Sequence, residues 1–265
     1  IQNSVIKDNL TSTTHTVNFG TVTAIRPLDN IHDRSVLNAY EFSESHTGLT
    51  THTITITLTS NATVRSIALL DCSSVNFGFN GITFKNSSGA VLNPTNEVET
   101  TRTRTINNDI LKTWVYTYDP IFNVRSIEIE VLIADSTGDT MVIGAVMACE
   151  DAVQMDVKPK SFKPNYESTG NKIRTPGGQV IADRNNSYMV PAFTTTATKE
   201  TDLINKYIDI NYVSSTSEPV IFIPVETQGF IVYGSQKKPN SSKPVEALDS
   251  GEWKYETDFR LEEEF

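Results

Sequence analysis

Cysteine is scarce: Cys72 and Cys149 are the two in 265 residues, too few for a metal cluster or a disulfide framework. Each lies in or beside an apolar run, SIALLDCSS and VIGAVMACE, so both read as reduced thiols packed in a core. No apolar run approaches the roughly 18 to 20 residues of a membrane-spanning helix. The opening Ile1-Gln2-Asn3 is not that of a signal peptide, and the missing Met suggests numbering that starts inside a longer product or after processing. Histidine is also sparse. His15, His32, His46 and His52 all fall in the first fifth of the chain among serines and threonines, and they read as surface or loop residues. There is no G-x-S-x-G elbow, no H-E-x-x-H, no paired-cysteine spacing and no Asp-x-Asp-x-Asp-Gly loop. A serine triad, a zinc site and an EF-hand are therefore unsupported, and no metal or cofactor is expected. Positive charge is in deficit, 22 Lys and Arg against 32 Asp and Glu, for a formal net charge of −10. Such a surface repels phosphate, which argues against a nucleic-acid partner.

Aromatic residues are plentiful, with 12 Phe and 9 Tyr beside 2 Trp, enough large side chains for real cores. From 36 to 150 the pattern is strongly β. THTITITLT alternates with period two and sets Ile54, Ile56 and Leu58 on one face. VRSIEIEVLIAD places Ile127, Ile129, Val131 and Ile133 inward and Glu128 and Glu130 outward. VNFGF and KTWVYTY alternate in the same way, and TMVIGAVMA suits a strand buried on both faces. Turn chemistry separates these runs at Asn86-Ser87-Ser88-Gly89, Asn93-Pro94, Asp119-Pro120 and Asp135-Ser136-Thr137-Gly138-Asp139. Many strands with turns between them predict a mainly β protein, an antiparallel jelly-roll-like β-sandwich.

Four regions follow from the same reading. Residues 1–35 are an N-terminal extended arm and 36–150 the sandwich. Residues 151–197, rich in Pro and Gly, are a second extended arm with a hairpin around RTPGGQV. Residues 198–265 are a small α+β module. Its one helix starts at a Thr198 cap, with Glu200 and Asp202 in the first turn and Leu203, Ile204, Tyr207 and Ile208 at helical spacing. In the final strand Trp253, Tyr255, Thr257, Phe259 and Leu261 alternate with charged residues, and the LEEEF ending reads as solvated.

The candidate binding residues are Trp114, Tyr116 and Tyr118, on one side of a strand. Facing solvent they form a glycan-stacking platform, and facing inward they are ordinary core, the favoured reading. A glycosidase needs two carboxyl groups flanking the scissile bond, and no acid pair is marked by a local motif. Asp71 and Glu150-Asp151 read as strand-end turn residues, and Pro176-Gly177-Gly178 as a hairpin tip. Thr101-Arg102-Thr103-Arg104, near Glu97 and Glu99, reads as an exposed edge strand with local charge pairs rather than as a contact for a partner carboxylate.

The order of phrases SVLNAYEFSES, ATVRSIALLDCSSVNF, IGAVMACEDAVQ, TGNKIRTPGGQVIAD and EPVIFIPVE, across residues 36–234, resembles tailed-bacteriophage minor tail and baseplate virion structural proteins. These carry a jelly-roll, carbohydrate-binding-like domain. The resemblance implies a non-enzymatic component of the phage tail, baseplate or collar, assembled in the bacterial host cytoplasm. Its expected partners are other virion proteins and copies of itself around the tail axis, without membrane insertion. The alternative is a host-surface glycan-binding, receptor-binding module, with a polysaccharide-degrading enzyme third. The chain departs from the family in a less tryptophan-rich opening and an acidic C-terminal tail.

Overall fold

A computed structural model describes residues 4–7, 12–18, 23–24, 26, 39–46, 50–73, 77–106, 109–133, 136–150, 152–154, 157, 161–168, 172–174, 180–182, 187–197, 220–225, 230–236, 242–248 and 253–263. The described strands begin with β1 (Ser4–Lys7), β2 (Ser12–Asn18), β3 (Thr23–Ala24), β4 (Tyr40–His46), β5 (Thr50–Ser73), β6 (Phe77–Lys85) and β7 (Val91–Leu92). Next come β8 (Val98–Ile106), β9 (Asp109–Ile133), β10 (Ser136–Ile143), β11 (Ala145–Cys149), β12 (Ala152–Gln154) and β13 (Lys163–Ser168). The last are β14 (Lys172–Arg174), β15 (Val180–Ala182), β16 (Ser187–Ala197), β17 (Val220–Val225), β18 (Phe230–Gln236), β19 (Ser242–Ala247) and β20 (Trp253–Glu263). The chain divides into two compact units, one of Ile1–Val153 with Val225–Ile231, the other of Gln154–Pro224 with Val232–Phe265.

The first unit is an antiparallel sandwich made by bending one sheet. Its seven strands run β11-β5-β9-β6-β7, with β2 on β5 and β8 on β9. β5 and β9 are 24 and 25 residues long, far beyond the usual five or six. Each therefore serves both layers. The N-terminal half of β9 pairs with β8 and the C-terminal half with β6. Phe79 in β6 nevertheless stacks on Tyr116 at 4.6 Å, and Phe84 meets Tyr118 edge-on at 5.2 Å. Those contacts join opposite halves of β9, so the two halves face each other.

The corners explain a misplaced turn. Asp119-Pro120, expected to end a strand, lies inside β9 and bends it instead. Asn123 there takes φ +61, a left-handed conformation that Asn tolerates better than most side chains. The matching corner of β5 shows register shifts between Thr57 and Ser66, the bulges that let a strand change direction. Ile121 and Val124 fill the bend from inside, while Phe122 stays exposed.

The core follows the alternation in the sequence. Ile54, Ile56 and Leu58 are at most 2% exposed, as are Ile127, Ile129, Val131 and Ile133. Burying each such side chain stabilises by roughly 1.5 to 3 kcal/mol. His52 corrects the surface reading of the histidines: two residues before Ile54, it shares the inward face and is buried opposite Val131. Cys72 and Cys149 are both buried thiols, and burial, then the Asp71 charge, pushes the Cys72 thiol far up. The TMVIGAVMA run divides at Gly144, with β10 in a separate sheet, β10-β4-β3, and β11 beside β5. A Cβ on Gly144 would lie 2.5 Å from the Leu70 carbonyl oxygen, so only glycine fits where the chain changes sheets.

The second unit is β throughout its described residues. Its sheet carries the order β17-β18-β20-β16-β13, with β19 also on β20. Phe193 lies between Phe222 and Phe259, with ring centroids 4.0 and 5.1 Å away. Along β20 the inward face runs Thr257, Phe259, Leu261, Glu263. Glu263 is therefore buried, not solvated, and its carboxylate accepts the Met189 N–H at 2.7 Å. The helix expected from Thr198 lies outside the described residues.

Parts of both expected arms pair into sheets. In region 1–35, β2 pairs with β5, His15 opposite Ile56 and Val17 opposite Ile54. In region 151–197, β16 is an interior strand between β13 and β20. These segments are held by backbone ladders in their own sheets. β14 and β15 pair as a hairpin, while Pro176, Gly177 and Gly178 between them lie outside the described residues.

Candidate functional site

KTWVYTY alternates, so β9 projects Lys112, Trp114, Tyr116 and Tyr118 on one face and Thr113, Val115 and Thr117 on the other. Register adds the neighbours from β8, with Glu99 opposite Tyr116, Thr101 opposite Trp114 and Thr103 opposite Lys112. Glu97 precedes β8 on the same side. The approach to it is fixed by Asp119, whose carboxylate accepts from Asn96 Nδ2 at 2.6 Å and Thr95 Oγ1 at 3.2 Å. Asp119 N–H also donates to the Thr95 carbonyl at 3.0 Å, and Asn96 takes φ +52. The facing wall is β6, where the register shifts between Phe79 and Gly81. Asn80 at that shift donates to Glu130 Oε2 at 2.8 Å.

Between these walls lies an open cleft of about 370 Å³. Phe79, Asn80, Gly81 and Ile82 line one side, and Glu97, Glu99, Lys112, Trp114 and Tyr116 the other. The three sequence candidates are all buried, Trp114 and Tyr116 at 3% exposure and Tyr118 at 4%. The favoured core reading thus describes their burial, yet Trp114 and Tyr116 still form the back of the cleft. Their ring faces are covered from within the protein. Lys112 Nζ sits 4.8 Å from the Trp114 ring centroid, a cation–π contact, and Phe79 covers Tyr116. An open stacking platform is therefore not what these residues make. Tyr118 lies one step deeper, against Phe84, and does not line the cleft.

The carboxylates at the rim act on the tyrosines behind them. Burial raises the Tyr116 hydroxyl far above its ordinary ionisation range, and the charge of Glu99 with its hydrogen bond raises it further. Tyr118 is raised in the same way, by burial first and then by the charge of Glu97. Both remain neutral at any ordinary pH. The Tyr118 hydroxyl is buried and makes no hydrogen bond of ordinary geometry. Glu97 and Glu99 themselves are exposed, as is Asn80.

The remaining candidates fall elsewhere. Asp71 takes φ +49 at a register shift in β5, where its carboxylate pairs through both oxygens with Arg104 of β8. Its N–H donates to Thr113 Oγ1 at 3.1 Å. The pair is largely buried, so Asp71, expected as a strand-end turn residue, is a structural ion-pair residue within β5. It also corrects the reading of the Arg102–Arg104 stretch: Arg104 pairs across the sheet with Asp71, on the face opposite Glu97 and Glu99. Glu150 is exposed at a bend, and Asp151 lies outside the described residues. Among the described residues no three His, Cys, Asp or Glu side chains gather to hold a metal ion. The contribution of Glu97, Glu99, Asn80 and Gly81 could not be read from the sequence, because strand register alone brings them beside Trp114.

No protein-family model matches the sequence, and no curated protein does. Among solved structures, a Ruminococcus gnavus GH29 fucosidase in complex with fucose matches 52% of this chain and 25% of its own, at 12% identity and TM-score 0.32. The chain thus spans a quarter of that enzyme. A pectin-binding carbohydrate-binding module matches 53% of this chain and 91% of its own, at 12% identity and TM-score 0.31. Scores this low do not establish a shared fold, and the functional reading stands on the cleft.

Proposed function

We propose that the chain is a non-enzymatic, jelly-roll-like β-sandwich protein that binds glycan in the cleft between β6 and the β8–β9 pair. One observation supports this above others. An open cleft of about 370 Å³, inside the roughly 300 to 1,000 Å³ usual for ligand sites, combines an aromatic back with exposed hydrogen-bonding side chains at its rim. The rings of Trp114 and Tyr116 form a closed back to the cleft, and the carboxylates and amide at its rim receive the hydroxyls of a sugar.

The disposition of the acids favours binding over hydrolysis. A glycosidase sets its two carboxyl groups on either side of the scissile bond. Here Glu97 and Glu99 stand on one wall, and the facing wall offers Asn80 and no acid among the lining residues. The test is a glycan array on the full chain, followed by a reducing-sugar assay on each glycan retained. Binding without release of reducing ends is expected, and time-dependent release would replace the reading with an enzymatic one.

A second reading is assembly among phage tail or baseplate proteins, for which the sequence resemblance speaks. One structural feature favours it: Val245 on strand β19 and Trp253 on its neighbour β20 are 43% and 50% exposed. Light scattering on the purified chain tests it. Self-association that a Trp253→Ser variant abolishes is expected, and a monomer at all concentrations contradicts self-assembly.

A further inference from the structure

We infer that the cleft selects neutral, hydroxyl-rich glycans and rejects anionic ones, and that Glu97 and Glu99 make that choice. This rests on the glycan reading above. The lining residues carry two carboxylates and one ammonium. The ammonium belongs to Lys112, which is committed to the Trp114 ring. Arg104, one of the nearby cations on β8, pairs with Asp71 on the opposite face of the sheet. The rim is therefore negative, on a chain whose net charge is −10.

Geometry gives those two acids a common aim. Two residues apart along one chain, they both line the cleft. Glu99 stands in register with Tyr116 at the back of the cleft, and the Asp119 contacts to Thr95 and Asn96 hold the turn that delivers Glu97. A carboxylate accepts hydrogen bonds and donates none, so its natural partner is a hydroxyl, and adjacent sugar hydroxyls offer two donors to one carboxylate. These charge-assisted contacts are the stronger kind of hydrogen bond. A uronate, sulfate or sialate at the same point would bring like charges together in a partly dehydrated cleft, where repulsion exceeds that in bulk water. The facing Asn80 contributes an amide fixed by its bond to Glu130, which is also indifferent to ligand charge.

The experiment uses the full chain on an array that pairs neutral glycans with their uronic-acid counterparts of the same linkage and length. Titrations then follow with the wild type and with Glu97→Gln/Glu99→Gln. Both positions are exposed, so the variant is expected to melt with the wild type. The wild type should retain neutral glycans and bind their uronate counterparts at least about tenfold more weakly, a difference that narrows in high salt. The double variant should bind neutral glycans about tenfold more weakly and lose the discrimination. Equal binding of uronate and neutral glycans overturns the inference and leaves the glycan reading standing. Unchanged affinity and selectivity in the double variant overturns it as well. Failure to bind any glycan removes the reading on which it rests.

Discussion

Tyr118 brings a hydroxyl into the core without giving it a partner of ordinary geometry, and a buried group left in that state costs about 1 to 3 kcal/mol. Tyr118→Phe is expected to keep or raise stability, by about 1 kcal/mol, as read from the guanidinium midpoint. A drop of that size would show that the hydroxyl is satisfied. The raised pKa values of Tyr116 and Tyr118 make a companion prediction. Both hold their protons in the fold well past 10.0, the ordinary tyrosine value. Above that pH the unfolded chain ionises first and binds fewer protons, so stability falls as pH rises. The stabilisation is complete below pH 10 and lost above it, and a Tyr116→Phe/Tyr118→Phe variant is expected to lose less between pH 10 and 12 in urea melts. Equal alkaline sensitivity would contradict the assignment. Asp71 and Arg104 are coupled more tightly than surface ions because both side chains are largely buried. Asp71→Ala strands the guanidinium and should cost about 3 kcal/mol. Asp71→Asn, which keeps a residue tolerant of φ +49, should cost clearly less. Matching losses in the two variants would place the whole cost in the lost charge, with none in the backbone.

At the scale of elements, the bent strands β5 and β9 make the cleft possible, because a sheet folded on itself opposes β6 to the N-terminal half of β9. Alternation in the sequence made the inward faces legible, including the exact set Ile127, Ile129, Val131 and Ile133. It also contained the burial of His52, which shares parity with Ile54 and Ile56; composition around it, rich in threonine, pointed the other way. The long strands were not legible. Asp119-Pro120 and Asn123 carry ordinary turn chemistry, and only the need to close a sandwich turns that chemistry into a corner. Glu97 and Glu99 were invisible as site residues for a similar reason: a register between β8 and β9 sets what they face, and no local pattern encodes register across a connection. Gly144 tests this layer of the account. A methyl group there meets the Leu70 carbonyl oxygen at 2.5 Å, and overpacking of this kind costs about 1 to 3 kcal/mol. Gly144→Ala should therefore lower the melting temperature by several degrees, whereas Gly81→Ala, whose added carbon meets nothing within 4 Å, should leave it unchanged. Equal melting of the two variants would remove the close approach as the reason for glycine at 144.

For the whole molecule, two β units of distinct architecture share one strongly acidic chain, and the first unit carries the cleft. A net charge of −10 disfavours phosphate-rich partners by repulsion. The central claim is that the β6–β9 cleft binds glycan, and Gly81 allows it to be tested without disturbing the core. Gly81 lines the cleft, and a carbon added to it meets nothing within 4 Å. The most direct measurement is calorimetric titration of the full-length chain and of Gly81→Trp with the glycans retained on the array. The account predicts that the wild type binds, and that Gly81→Trp melts at the same temperature but binds at least about tenfold more weakly. Binding that survives the tryptophan unchanged, or a wild type that retains no glycan at all, would contradict it.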